Sequence, residues 1–127
     1  MDKPILSNPK PWLHQAPMKN LLIAFTEKAK ELFGMNLMQV VLFGSYARGD
    51  FQRGSDVDIL VVADFDEAYR SVFRKKVSDI AFDIGLAYDM LIQTVLVSVA
   101  ELRKWGNVHE LFRNIGKDGV NLYDCAG

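Results

Sequence analysis

The sequence has little of three features: cysteine, charge of one sign, and long apolar runs. Its one cysteine, Cys125, excludes an internal disulfide and has no Cys or His near it at metal-ligand spacing. The formal net charge of -1 creates no strong field toward nucleic acid or an anionic membrane, so direct nucleic-acid binding is not expected. No stretch approaches the roughly 20 apolar residues of a transmembrane helix. We therefore predict a cytoplasmic protein without membrane contact.

Proline is absent after residue 17, and this divides the chain into two parts. Four prolines interrupt the first 17 residues, which we interpret as an extended N-terminal arm and not as a signal peptide. Trp12 and Leu13 can dock this arm on the body or on a partner. Residues 18–127 have the length and the apolar content of one domain.

Hydrophobic periodicity predicts alternating helices and strands. Helices are expected over 18–33, from a cap at Asp66 to about 87, and in two short segments after capping boxes at Ser98 and Asn107. Strands are expected over 37–43, 57–63 and 90–97, with a short edge strand near 119–123. The connection between the first two strands is too short for a parallel crossover. The predicted fold class is therefore α/β (α+β), with a small mixed sheet flanked by helices.

The turn after the first strand combines residue types that suit a nucleotide. Gly44 lets phosphates approach the backbone, and Ser45 adds a hydroxyl donor where a helical turn opens. Ten residues separate Ser45 from Asp56, which directly precedes the second predicted strand, and Asp58 lies in that strand. Residues i and i+2 of a strand point to one face, so both carboxylates are expected to project together. Hard oxygen ligands of this kind suit magnesium.

A lone Asp-x-Asp pattern has an ordinary structural explanation as well. Asp56 could cap the turn, and Asp58 could lie at an exposed strand edge. The second pair in the sequence, Asp64 and Asp66, begins a helix and is interpreted as capping. The preceding strand, the Gly-Ser turn and the loop together favour the nucleotide site at Asp56 and Asp58.

The residues from Gly44 to Asp58 resemble the signature of the DNA polymerase beta-like nucleotidyltransferases. The ten-residue loop is similar to that of the minimal nucleotidyltransferase branch, whose small members are often paired with HEPN-domain proteins in toxin–antitoxin systems. The likeness extends more loosely to 88–92 and 119–123. It implies a nucleotidyltransferase-like fold and transfer of a nucleotide, with ATP as the expected donor.

The resemblance also implies metal ligands. Two magnesium ions would be held by Asp56 and Asp58 with a third carboxylate from a later strand. Asp89, placed at the start of the third predicted strand, is our candidate, whereas Asp79 and Asp83 lie on the polar side of the long helix. Arg48 has two interpretations: it neutralises phosphate charge, or it braces Asp50 across the turn.

The sequence is compatible with three functions. The leading hypothesis is an antitoxin that transfers AMP to a hydroxyl of a HEPN partner, because the chain has no room for a separate substrate domain. The second is a binding module that neutralises a partner by occlusion without turning over nucleotide. The third is a small-molecule nucleotidyltransferase acting across a homo-oligomer interface.

Overall fold

The computed structural model describes residues 10–126, which form a four-stranded sheet with helices on both faces. Residues 1–9 of the predicted arm lie outside the described residues. In chain order the elements are a 3-10 turn Pro11–His14, α1 Met18–Phe33, a 3-10 turn Gly34–Asn36, β1 Leu37–Phe43, α2 Ser45–Arg48, β2 Val57–Ala63, a 3-10 turn Glu67–Tyr69, α3 Arg70–Tyr88, β3 Ile92–Ser98, α4 Val99–Trp105, α5 Glu110–Asp118 and β4 Val120–Asp124.

The sheet is mixed, as the short connection between β1 and β2 predicted. The strand order is β3-β2-β1-β4. β1 pairs antiparallel with both β2 and β4, whereas β2 and β3 are parallel and are connected by α3. Phe43, the last residue of β1, lies directly opposite Asp58, the second residue of β2.

Each face of the sheet has its own apolar core. Alternate strand residues such as Ile59 and Val61 pack with α1 and α3 on one face, where Phe25 is fully buried. The intervening residues, such as Leu60 and Val62, pack toward α4 and α5 on the other face. Asp58 belongs by alternation to this second face. It therefore lies on the same face as α4 and α5, near the edge of their small core.

The predicted elements agree with the observed ones apart from local details at helix and strand ends and one part of the N-terminal arm. That arm was predicted to be extended, but Pro11–His14 forms a 3-10 turn because Leu13 packs into the core. Asp66 accepts a hydrogen bond from the Ala68 N–H, but it caps a 3-10 turn that precedes α3. The capping box at Ser98 is confirmed. The one predicted at Asn107 is wrong: the chain continues two residues further, and His109 caps α5 by accepting from the Leu111 N–H. Among residues 10–126 no helix is long and apolar enough to cross a membrane.

Candidate active site

The Gly-Ser turn joins the end of β1 to a single helical turn. Gly44 has φ 76° and ψ −156°, a conformation that L-residues with side chains rarely adopt. α2 follows at once, and the Ala47 and Arg48 N–H groups both donate to the Gly44 carbonyl. The first N–H groups of such a turn have no partner within the helix and suit an anion. The strand, glycine and helical turn occur where the sequence predicted them, and phosphate binding at this turn stays a prediction.

Asp58 packs directly against this turn. A Cβ placed on Gly44 would lie 2.2 Å from Asp58 Oδ2, which is well inside van der Waals contact. Only a glycine therefore allows the carboxylate to approach the backbone so closely. This contact connects the Gly-Ser turn after β1 with the acidic end of β2.

Asp56 and Asp58 influence each other electrostatically. Partial burial and the Asp56 carboxylate raise the pKa of Asp58 above its ordinary value, while the positive charge of Arg48 acts in the opposite direction. Two carboxylates that repel in this way are stabilised together by a cation. Their hard oxygens fit magnesium by chemistry and by position beside the turn.

Arg48 lies at the exposed end of α2. Its Nε donates to Asp50 Oδ2 at 3.1 Å, which is one of the two roles predicted for it. Its charge also acts on Asp58. The second role, contact with a phosphate, stays a prediction.

The N-terminal segment supports the turn from behind, at a location that the sequence did not specify. Trp12 Nε1 donates to the Tyr46 carbonyl at 2.6 Å, and Lys10 Nζ donates to the carbonyl of Ala47. The Trp12 ring covers Gly49, where an added Cβ would lie 2.8 Å from it. Tyr46 is buried and stacks on Phe51 with ring centroids 4.4 Å apart. The apolar pair Trp12-Leu13 between prolines was the sequence signal for this docking.

Asp89 lies apart from the other two predicted carboxylates. β3 begins at Ile92, later than expected, and Asp89 closes α3 in the left-handed conformation with φ 56°. Across residues 10–126 no three His, Cys, Asp or Glu side chains gather as a metal-binding group. The structure therefore brings Asp56 and Asp58 together but does not bring Asp89 to them.

Gln93 occupies the strand position beside Asp58. The parallel register pairs Asp58 with Gln93, so the row across the sheet reads Phe43, Asp58, Gln93. Directly opposed residues project to the same face of a sheet. Sequence reasoning missed Gln93 because the register between β2 and β3 is decided by tertiary packing.

The fold and this site together define a nucleotidyltransferase domain. A sequence profile described as nucleotidyltransferase domain matches residues 22–112. The chain thus belongs to this family.

Relatives and solved structures agree with the family. One relative is a Methanocaldococcus jannaschii protein, MJ1305, provisionally named a protein adenylyltransferase; it is 38% identical over 85 residues, covering 67% of this chain and 58% of its own length. A second from that organism with the same provisional name, MJ0604, is 33% identical over 99 residues, covering 78% of this chain and 91% of its own. This chain thus spans less than two thirds of the length of the first relative.

Two solved structures share the fold. A structure described as a toxin-antitoxin with AMP-PNP has a TM-score of 0.51 and 27% identity, covering 79% of this chain and 71% of the other. A Sulfolobus solfataricus protein, provisionally named a nucleotidyltransferase, has a TM-score of 0.60 and 24% identity, covering 95% and 94%. The latter supports the fold alone and confirms the predicted mixed sheet flanked by helices.

Proposed function

We propose that this chain is a magnesium-dependent nucleotidyltransferase that transfers AMP from ATP to a hydroxyl group of a partner protein. The observation that carries the proposal is the contact between Asp58 and Gly44, which brings an acidic pair to a phosphate-binding turn. Membership of the nucleotidyltransferase family supports the reaction class. The relatives named protein adenylyltransferase support a protein acceptor.

Each site residue has a role in this reaction. The N–H groups of the turn and the Ser45 hydroxyl bind the phosphates, and Arg48 offsets their charge. Asp56 and Asp58 would hold magnesium, which when bound polarises the reacting phosphoryl oxygen. The acceptor oxygen then forms a bond to the α-phosphorus, the bond to pyrophosphate breaks, and the hydroxyl proton is released. Fixing both reactants in line accounts for much of the rate gain.

An apolar groove between α3 and the β3 edge of the sheet favours a protein acceptor over a small molecule. The groove has a volume of about 560 Å³ and lies between the second half of α3 and the start of β3. Its exposed side chains include Phe82, Leu86 and Leu91, which are 68%, 72% and 59% accessible. Apolar surface of this kind is typical of a protein-binding face. Gln93 lines the same groove and pairs with Asp58, so a protein bound there would contact the strand next to the one that holds Asp58.

The partner that we propose is a HEPN-family toxin, which makes this chain its antitoxin. The structural neighbour described as a toxin-antitoxin with AMP-PNP supports both a toxin partner and an adenine nucleotide. Modification of a hydroxyl on the toxin would silence it. A gene for a helical HEPN-type protein beside this one would support the pairing.

Occlusion without catalysis is a second candidate, and one observation favours it. A third carboxylate near Asp56 and Asp58 would assist activation of the acceptor hydroxyl, but Asp89 lies elsewhere and Gln93 is neutral. Under this alternative the chain binds nucleotide and covers the toxin without transferring AMP.

A label-transfer experiment separates the two candidates. The protein is incubated with magnesium, ATP labelled at the α-phosphate, and the neighbouring HEPN-type protein. We expect label on the partner, and we expect Asp58→Asn to reduce its rate at least about 100-fold. Asp64→Asn makes the same change at the other end of β2 and should leave the rate unchanged. Toxin inhibition without any label would refute transfer and support occlusion.

A further inference from the structure

Within residues 10–126, Gln93 occupies the strand position next to Asp58 from which a third side chain could reach the acidic pair. β3 is an edge strand, and β2 is its paired neighbour among the described residues. On the other side of Asp58 the paired residue is Phe43, which has no ligand atom. Adjacent strands are about 5 Å apart, within reach of a shared cation. The Gln93 side chain is exposed and is not needed for the core.

The Gln93 amide offers the site an oxygen ligand, as a third carboxylate would, but it adds no negative charge. Asp56 and Asp58 provide a formal charge of minus two, and Gln93 adds a neutral carbonyl oxygen. A third carboxylate in place of this amide would add to the repulsion between Asp56 and Asp58 and so increase the demand for a cation. Magnesium sites with few carboxylates depend on substrate phosphates for the remaining charge and ligands.

We infer that Gln93 makes divalent-metal binding depend on the nucleotide. The free protein binds the metal weakly through two carboxylates and an amide, and firm binding begins when the triphosphate adds its own charges and oxygens. This inference rests on the proposed function, since it assigns a nucleotide to the Gly44–Ser45 turn. Gln93 is thereby a specificity-determining residue that keeps the site free of resident metal between reactions.

Manganese binding, followed by the electron paramagnetic resonance signal of free Mn²⁺, tests the inference without any catalytic readout. Wild type, Gln93→Glu and Gln39→Glu are titrated with and without AMP-PNP, and the Mn²⁺ that AMP-PNP binds in the absence of protein is measured separately and subtracted. Glu has the shape of Gln, and a charge about 5 Å from the cation should strengthen Mn²⁺ binding to the nucleotide-free protein about tenfold. Gln39 lies on the same face of the sheet but pairs with Val62, four residues beyond Asp58. At about 13 Å it is outside the Debye length and should change the affinity less than twofold.

The expected pattern has two parts. AMP-PNP strengthens Mn²⁺ binding strongly in wild type and much less in Gln93→Glu, whereas Gln39→Glu behaves as wild type. Gln93→Asp, with a shorter carboxylate, should act in the same direction as Gln93→Glu, and circular dichroism verifies that each variant is folded. If both position-93 variants match Gln39→Glu, or if wild type binds Mn²⁺ equally well without AMP-PNP, the inference is overturned.

Failure of this inference is distinguishable from failure of the proposed function. A chain that labels its partner but shows no effect at position 93 retains the proposed function and loses the inference. A chain that does not bind AMP-PNP loses the proposed function, and with it the nucleotide-dependent coupling assigned to Gln93.

Discussion

Gly44 and Asp58 depend on each other at the scale of single residues. The absence of a side chain at Gly44 creates the space in which the Asp58 carboxylate lies. The same glycine adopts a positive φ that opens the turn toward α2. One residue therefore determines both the backbone geometry of the proposed phosphate turn and the approach of the carboxylate that we propose as a metal ligand.

Gly44→Ala should lower the free energy of unfolding by about 1–3 kcal/mol and abolish AMP-PNP binding, because the methyl group meets Asp58 at a strained φ. Gly54→Ala is the matched control. Gly54 has φ +87° but no atom within 4 Å of an added Cβ. Its substitution therefore measures the cost of backbone strain without a steric collision. We expect it to lose about 1 kcal/mol and to retain binding. Urea unfolding and calorimetric titration measure the two effects, and equal binding losses in both variants would contradict the collision argument.

Asp58→Asn should stabilise the metal-free protein at neutral pH. The folded pKa of Asp58 is raised by burial and by Asp56, so the stability that its carboxyl contributes is present in acid and is lost as pH rises through that pKa. The asparagine amide does not ionise, so the variant does not lose this stability as pH rises. We expect a gain of about 0.5 kcal/mol at pH 7, small because the carboxylate is partly solvated, and no gain below about pH 4.

Urea unfolding at the two pH values, with a chelator present, measures this difference. Asp64→Asn is the control, since Asp64 lies at the opposite end of β2 and should show no gain. A variant less stable than wild type at pH 7 would show that the carboxylate stabilises the fold.

At the scale of elements, the site depends on a segment distant in sequence. The 3-10 turn Pro11–His14 places Leu13 in the core, where it is fully buried, and holds Trp12 behind α2. α2 is only one turn long, and short helices have little stability of their own. Its geometry is therefore fixed largely by tertiary contacts such as that of Trp12.

Trp12→Phe should weaken AMP-PNP binding several-fold and lower stability by about 1 kcal/mol, because the Nε1 hydrogen bond to the Tyr46 carbonyl is lost. Trp105→Phe makes the same change at a half-exposed position on α4 and should affect neither quantity. Binding that is unchanged by Trp12→Phe would show that α2 keeps its geometry without the brace. Calorimetric titration and thermal unfolding provide both measurements.

At the scale of the whole molecule, the proposed nucleotide site and the proposed partner groove lie on opposite faces of the sheet. Asp58 lies on the face of α4 and α5, and the groove lies between α3 and the edge of β3. Gln93 pairs with Asp58 and also lines the groove, so β3 is the element that the two regions share.

Leu86→Ser should reduce labelling of the partner at least about tenfold while leaving AMP-PNP binding and stability unchanged, since Leu86 is largely exposed. Met35→Ser removes an even more exposed apolar side chain before β1, away from the groove, and should leave labelling intact. Partner labelling and a binding titration distinguish the surfaces. Equal labelling by both variants would exclude the groove as the acceptor site.

The sequence by itself determined most of the helices and strands and pointed to the pair of carboxylates. Apolar periodicity located α1, β1 and β2, and the ten-residue spacing identified Gly44, Ser45, Asp56 and Asp58 as a set, because these signals are local. The tertiary structure decided which residues distant in sequence lie next to this set. The register of β2 against β3 brings Gln93 beside Asp58, while the left-handed end of α3 keeps Asp89 apart. Register and helix ends depend on packing across the core, which local pattern does not encode.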